Sequence, residues 1–372
     1  MTVLQEYSFT LEEIYVPGYE KIYKVTDPAS HLQAIICIHN TILGPALGGT
    51  RIYPYSSFDD ALNDVLRLSK GMTYKSALAE TGYGGGKSVI IADPKKNLTK
   101  EMLLAFGQAV NSLNGQYICA EDIGCSPKEI ALISTVTPYV VGLIQEKSSG
   151  NPSPFTAWGT LRGVQSVLKK LYGDDSIVSR TIAIQGLGSV GMVLAENLFW
   201  LGAKLIVSDI DQKRAQEFAK KYSATYCSPE EILQVKCDIL APCAMGGILS
   251  EKTIPHLRCS GIAGCANNQL LEDSDGVELV KRGILYAPDF VINAGGLMNV
   301  AQELVEEGYN PIPVRDKVHK IYDQLLVVYD IAEQNHTSTD AAAKALADYR
   351  LKYGIGKRVA PIYFHHAHAK LK

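Results

Sequence analysis

Lys87 ends the run Gly84-Gly85-Gly86 and leads into the apolar segment Ser88-Val89-Ile90-Ile91. A lysine at the mouth of a buried strand loses solvation, which favours the neutral amine over the ammonium ion and suits it to general-base work. Lys75, if it shares the same surroundings, adds a like charge that acts in the same direction. The alternative is a lysine that snorkels to solvent from a loop. Asp122 follows the strand-like run Tyr117-Ile118-Cys119-Ala120 and precedes Ile123-Gly124, a common placement for a functional loop carboxylate. Its neighbour Glu121 is a rival. Adjacent residues at a strand end point in opposite directions, so only one of the two enters a site, and pattern alone does not choose between them.

A second glycine-rich segment carries a different chemistry. Gly186-Leu187-Gly188-Ser189-Val190-Gly191 leaves the strand-like Thr181–Gln185 and opens an apolar helix through Met192, Val193, Leu194, Ala195 and Leu198. Glycines in this pattern permit a tight turn, close approach of a pyrophosphate to backbone, and close packing of helix on strand. Asp209 ends the next strand-like run, Val207-Ser208, at about the 20-residue spacing expected of a carboxylate that bonds a ribose 2′-hydroxyl. An acid there repels a 2′-phosphate, so the pattern favours NAD over NADP. The competing role for Asp209 is to start the helix at Ile210-Asp211-Gln212 by complementing its dipole, a role Asp211 could also fill. The segment Thr81 to Ser88 comes within one residue of a phosphate-binding P-loop, which would make the protein a nucleotide triphosphatase. The apolar strand follows the lysine rather than preceding the loop, however, and no helix N-terminus is offered to a phosphate.

These residues need a scaffold of alternating strands and helices. Ala34 to Ile38 and Ser88 to Ala92 read as strands, Phe58 to Ser69 as a helix with Ala61, Leu62, Val65, Leu66 and Leu68 on one face, and Thr99 as the start of another helix. Ser148-Ser149-Gly150-Asn151-Pro152-Ser153-Pro154 has the composition of a linker. Beyond it, strand candidates at 182–185, 205–208, 238–241, 260–264, 284–287 and 290–292 are separated by helices, the pattern of a parallel sheet covered on both faces. Helices follow around Val318–Tyr329 and, capped by Ser338 or Thr339, over Ala341–Leu351. The fold class expected is α/β with two domains: a substrate-binding and oligomerisation domain over 1–145, completed by 338–372, and a Rossmann-type doubly wound dinucleotide-binding domain over 146–337, with a cleft between them.

At 372 residues and 47% hydrophobic composition the chain can bury more than one core. Its net charge of −3 and lack of a Lys/Arg run argue against a nucleic-acid partner. The opening Met1-Thr2-Val3-Leu4-Gln5-Glu6-Tyr7 lacks the apolar run of an export signal, and no stretch reads as a membrane span, so a cytoplasmic location is expected. The eight cysteines include no Cys-x-x-Cys pair and read as reduced core residues. No metal is expected. The histidines of His365-His366-Ala367-His368 could hold one, but terminal tails are usually solvated.

Taken in order, Leu43 to Arg51, Leu68 to Lys75, Gly84 to Lys87, Ala120-Glu121-Asp122, Ser149 to Pro154, Asn267-Asn268-Gln269-Leu270 and Pro288 to Gly296 resemble the glutamate/leucine/phenylalanine/valine dehydrogenase family over nearly the whole chain. The resemblance implies NAD-dependent reversible oxidative deamination of an L-amino acid to its 2-oxo acid and ammonia. It implies that Lys75 pairs with the substrate carboxylate, Lys87 activates the attacking water, Asp122 exchanges protons with the amine, and Asn268 helps hold the substrate's main-chain groups. Thr156 and Asn293 match positions at the nicotinamide end, and Leu43, Gly44, Met72, Ala120, Leu297 and Val300 match the side-chain wall. That wall offers no partner for a second carboxylate, which disfavours glutamate and favours leucine, isoleucine and valine. Ser189, Cys265 and Leu297-Met298 depart from the family pattern. Aromatic amino acids are the rival substrates, and a catalytically silent NAD-binding regulator is the rival from another class. The resemblance also implies a homo-oligomer, with an octamer as one candidate.

Overall fold

The computed structural model describes residues 8–145 and 148–365. Contacts divide them into two units: one runs through Asn151 and adds Val300–Pro311 and the chain from Arg350, and the other holds Pro152–Asn299 and Ile312–Tyr349. The division at Asn151/Pro152 falls within the run of loop formers. Three segments depart from the allotment 1–145 plus 338–372: 146–151 and 300–311 fall in the first unit, and 338–349 in the second. Residues 300–311 join the first unit, where the Glu303 carboxylate accepts from the amides of Gly142 at 3.1 Å and Ser149 at 2.8 Å. Residues up to Tyr349 stay with the second, where the Thr339 hydroxyl donates to the Tyr286 carbonyl and Lys344 pairs with Asp273 at 2.7 Å.

In the first unit β1 (Thr10–Glu13), β2 (Lys21–Asp27), β3 (Leu32–Asn40), β4 (Ala46–Tyr53), β5 (Gly84–Ile91) and β6 (Tyr117–Ala120) form one sheet in the order β1-β2-β3-β5-β4-β6. The pairs from β1 to β5 are antiparallel, whereas β4 runs parallel to both β5 and β6. The helices are α1 (Phe58–Leu78), α2 (Lys100–Ser112) and α3 (Pro127–Ile133), whose first turns are closed by the side chains of Ser57, Thr99 and Ser126. Alternate residues of β3 enter two cores: Ile36 and Ile38 pack with Phe106 and Val110 of α2, while Ile35 and Cys37 pack with Ala61 and Val65 of α1. Burial on both faces explains why the middle of β3, Ala34 to Ile38, is continuously apolar.

The strand expected to begin at Ser88 begins at Gly84, so Lys87 lies inside β5, opposite Cys37, rather than at its mouth. The glycines serve packing between elements. A Cβ on Gly85 would lie 2.1 Å from the Thr73 amide nitrogen of α1, and one on Gly48 would lie 1.8 Å from the Gly86 carbonyl oxygen. No helix opens at Lys87, as the P-loop alternative would require.

The second unit is built on a parallel sheet of β7 (Thr181–Gln185), β8 (Lys204–Ser208), β9 (Thr225–Tyr226), β10 (Cys237–Pro242), β11 (Cys259–Ile262) and β12 (Leu285–Tyr286) in the order β12-β11-β10-β7-β8-β9. Around it lie α4 (Ser153–Tyr172), α5 (Ser189–Trp200), α6 (Gln212–Tyr222), α7 (Asp273–Lys281), α8 (Asp289–Ile292), α9 (Gly295–Ala301), α10 (Pro311–His319), α11 (Ile321–Gln334) and α12 (Thr339–Tyr353); α9, α10 and α12 contribute residues to both units. Strand order reverses at β7, the switch point beyond whose carboxyl end doubly wound folds bind ligands. Residues 290–292, expected as a strand, form the short helix α8, because Pro288 starts a turn in which the Asn293 amide donates to the Asp289 carbonyl at 3.0 Å. A short apolar run does not by itself separate helix from strand. Among the described residues no helix is long and apolar enough to cross a membrane.

Candidate active site

In the first unit, Lys87 of β5 and Asp122, in the turn after β6, form a salt bridge of 2.9 Å with side-chain exposures of 8% and 18%. The turn is closed by the Asp122 amide donating to the Cys125 carbonyl and the Cys125 amide donating back. Arg51 of β4 reaches the same Oδ2 of Asp122 at 3.1 Å and also pairs with Asp64 of α1 at 2.8 Å. The Tyr55 hydroxyl donates to that Asp64 at 2.6 Å. Burial pushes the Asp122 carboxyl up, but the charges of Lys87 and then Arg51 outweigh it and hold the group below the ordinary aspartate value. Glu121 moves the other way, raised by burial and by the negative charge of Asp122. It is Asp122, of the two adjacent acids, that meets the lysine. The structure sets a carboxylate at contact distance from this lysine, a partner that reasoning from burial alone did not include.

Gly49 of β4 makes this contact possible. A Cβ there would lie 2.6 Å from the Glu121 carbonyl oxygen, 2.8 Å from Asp122 Cβ and 3.1 Å from Lys87 Nζ. Lys75 and Met72 are half-buried on α1, the helix whose Thr73 abuts Gly85 of β5. Leu43 and Ala120 are buried, and Gly44 has a φ of +152° with its Cα facing the Gly82 carbonyl too closely for any side chain. The Arg358 amide donates to the Leu43 carbonyl at 2.8 Å, so the C-terminal segment braces this wall. Val300 is half-buried in the segment that joins this unit.

The second unit holds the other candidates. Gly186, at φ +98°, turns the chain out of β7, and a Cβ there would lie 2.8 Å from Ala244 Cβ. A Cβ on Gly191 would overlap the Gly186 carbonyl oxygen at 2.0 Å, whereas one on Gly188 would meet nothing within 4 Å. Gly188 offers no side-chain cap to α5, so Ser189, Val190 and Gly191 present a helix N-terminus beside open space, a geometry that suits a pyrophosphate. Asp209 is buried; its carboxylate accepts from the amides of Leu187 at 2.6 Å and Asp211 at 2.8 Å, with Arg214 at 3.5 Å. The cap of α6 is Asp211, which accepts from the Arg214 amide. Asp209 therefore spans the glycine turn and the end of β8, where a ribose would lie.

Asn293 donates to the Cys265 carbonyl at 3.1 Å and to Asn267 Oδ1 at 2.7 Å, while its own Oδ1 is buried without a partner. An orphaned acceptor beside the carboxyl ends of the strands fits a carboxamide N–H of a nicotinamide. Thr156, in the first turn of α4, sits against Gly296, whose Cβ would come within 2.8 Å of its hydroxyl. Asn268 is exposed at φ +51°, held by the Gly247 amide donating to its carbonyl at 2.7 Å. Leu297 is buried in α9. These residues fit a dinucleotide. No group of three or more His, Cys, Asp or Glu side chains suited to a metal occurs among the described residues, which exclude His366 and His368 of the tail.

Sequence reasoning missed Arg51, Asp64 and Gly49. Their signal was present: Arg51 is the one charged residue in the small and apolar strand Ala46–Tyr53, and a charge in such a strand needs a buried partner.

Comparison with known proteins places these two halves in one lineage. Residues 20–139 match the family model described as Glu/Leu/Phe/Val dehydrogenase, dimerisation domain, and residues 207–352 match that of Glutamate/Leucine/Phenylalanine/Valine dehydrogenase. The chain is 46% identical to leucine dehydrogenase of Thermoactinomyces intermedius over 335 residues, 90% of this chain and 91% of that one. It is 43% identical to phenylalanine dehydrogenase of Caldalkalibacillus thermarum, across 91% of this chain and 92% of that one. The crystal structure of L-tryptophan dehydrogenase from Nostoc punctiforme superposes with a TM-score of 0.80 at 43% identity, covering 91% of this chain and 96% of that one. The lysine–aspartate pair and the glycine turn are thus features of a member of the glutamate/leucine/phenylalanine/valine dehydrogenase family, an amino acid dehydrogenase that acts on CH–NH2 donors.

Proposed function

We propose that the protein is an NAD-dependent dehydrogenase of branched-chain L-amino acids, converting leucine, and also isoleucine and valine, reversibly to the 2-oxo acid and ammonia. The observation that carries this reading is the Lys87–Asp122 pair, an amine and a carboxylate in direct contact at 2.9 Å. Lys75 holds the substrate carboxylate and so fixes the Cα hydrogen in one direction. NAD, when bound by the Gly186–Gly191 turn, Asp209, Thr156 and Asn293, supplies the hydride acceptor. Loss of hydride from Cα leaves an iminium carbon, which water attacks while Lys87 takes the water's proton. Asp122 passes a proton to the amine as it leaves. Asp122, at 2.9 Å, is the group in contact with Lys87 through which the two proton movements are linked. Asn268 steadies the main-chain groups of the substrate.

Asp209 supports NAD over NADP, because its charge opposes a 2′-phosphate. Leu43, Gly44, Met72, Ala120, Leu297 and Val300 carry no charge, so a second substrate carboxylate would be buried unpaired at a cost of several kcal/mol. Aromatic substrates are the second reading, favoured by the phenylalanine and tryptophan enzymes at 43% identity. A description of residues 20–139 as a dimerisation domain supports a homo-oligomer. Eight free thiols support a reducing, cytoplasmic setting.

Following NADH absorbance with leucine, isoleucine, valine, phenylalanine, tryptophan and glutamate, with NAD and with NADP, tests this reading. The highest kcat/KM should fall to leucine with NAD. A preference for phenylalanine or tryptophan would replace the substrate assignment, and a preference for glutamate would overturn the account of the wall. Lys87→Ala should abolish turnover while NADH still binds; near-normal turnover would remove the lysine from the mechanism.

A further inference from the structure

None of the eight cysteines is in a disulfide; six are buried, and Cys243 and Cys265 are half-buried. Parallel strands β10 and β11 keep one register through Leu240 and Ile262, and beyond their ends the Ala266 amide donates to the Pro242 carbonyl at 2.9 Å, which brings Cys243, next after Pro242, beside Cys265, next before Ala266. Gly264 brings the two chains close just before the cysteines: a Cβ on it would lie 2.1 Å from the Pro242 carbonyl oxygen. The thiols are hydrogen-bonded to each other, and that bond is the main influence holding the Cys243 thiol below its ordinary pKa.

Cys243 backs the turn assigned above to the coenzyme, and Cys265 holds Asn293. The Cys243 amide donates to the Gln185 carbonyl at 2.8 Å, and its backbone and Cβ support Gly186 and Gly191. The Cys265 carbonyl accepts from Asn293.

We propose that Cys243 and Cys265 are a redox-modification site, oxidised by a peroxide to a disulfide that weakens coenzyme binding and restored by a dithiol. The Cys243 thiolate attacks a peroxide oxygen and becomes a sulfenic acid; with hydrogen peroxide the other oxygen leaves as hydroxide and takes up the proton the thiol had released, giving water. The Cys265 sulfur then displaces the sulfenic oxygen, which leaves as a second water with the thiol proton. Two thiols lose two electrons and two protons, and the peroxide is reduced to two waters. The bond draws two strand ends together beneath the Gly186 turn and beside Asn293, so both are displaced. This consequence rests on the dinucleotide reading of that turn.

The test treats the reduced full-length protein with hydrogen peroxide, then counts alkylatable thiols under denaturing conditions and maps the linked peptides. NADH binding is titrated before and after. We expect two fewer alkylatable thiols, a Cys243–Cys265 linked peptide, at least about a tenfold loss of NADH affinity, and recovery of both with dithiothreitol. The Cys265→Ser variant should show the same NADH affinity after peroxide as before it. An unchanged thiol count, a disulfide at other cysteines, equal affinity in both states, or loss of affinity in Cys265→Ser that matches the parent would each overturn the proposal. Failure of the reduced protein to bind NADH would instead overturn the coenzyme assignment, a result the thiol count leaves separate.

Discussion

Replacing Asp122 by Asn keeps the shape of the side chain and removes the charge that two buried cations share. Lys87 Nζ at 2.9 Å from Oδ2 is attracted by about 6 kcal/mol at an effective dielectric of about 20, and Arg51 at 3.1 Å by about 5 kcal/mol. Desolvation of the three groups offsets most of this, so the net loss expected on breaking such a site is about 3–5 kcal/mol. Arg51 retains Asp64 as a partner, which places the loss at the lower end, about 3 kcal/mol. For a unit of this size that corresponds to a drop in Tm of roughly 6–12 °C. Because the folded carboxyl is held below its ordinary value, its contribution is fully present above the unfolded aspartate pKa of about 4 and is lost as pH falls through the lower folded value. The stability difference between parent and Asp122→Asn should therefore be constant from pH 6 to 8 and shrink on acidification below about pH 4. Turnover should fall by about 10²–10⁴, the range for loss of a positioned acid–base group. Thermal unfolding across pH, with NADH absorbance at each variant's saturating leucine, reads both. A variant with parental Tm and near-parental kcat would show that the pair neither stabilises the unit nor handles protons.

Arg51→Gln should raise the Asp122 carboxyl towards its ordinary value and move the acid limb of the kcat profile to higher pH, an effect Arg51→Lys should partly restore; an unmoved limb would separate Arg51 from the pair. Gly49→Ala places a Cβ against Glu121, Asp122 and Lys87, so kcat should fall at least about tenfold with about 1–3 kcal/mol of destabilisation, while NADH titration stays unchanged. Asp209→Ala removes the acceptor for the Leu187 and Asp211 amides; the KM for NAD should rise at least about tenfold with little change in the preference among amino acids, and an unaltered KM would dismiss the ribose contact. Light scattering of the purified protein should give a mass several times that of one chain, and a monomer that still turns over leucine would dismiss the oligomer as a requirement.

Much of the second unit was legible because its chemistry is local. A strand, a glycine turn and the helix it opens are contiguous from Thr181 to Trp200, and Asp209 ends the very next strand. Gly186 there answers to its own backbone conformation and Gly191 to the approach of the Gly186 carbonyl five residues earlier. The start of β5 in the first unit and Phe290–Ile292 in the second were less legible, because glycine and short apolar runs carry weak periodicity and their surroundings decide their state.

The sequence by itself determined the alternation of strands and helices, the glycine turn with its following carboxylate, and which lysine and which pair of acids were candidates, since periodicity and short-range spacing are written along the chain. Only the tertiary structure decided that Asp122 rather than Glu121 meets Lys87, that Arg51 shares that oxygen, and that Gly49 must be bare. Those facts depend on β4, β5 and the turn after β6 lying side by side in the order β3-β5-β4-β6, a long-range register in which residues far apart in the chain approach within 3 Å.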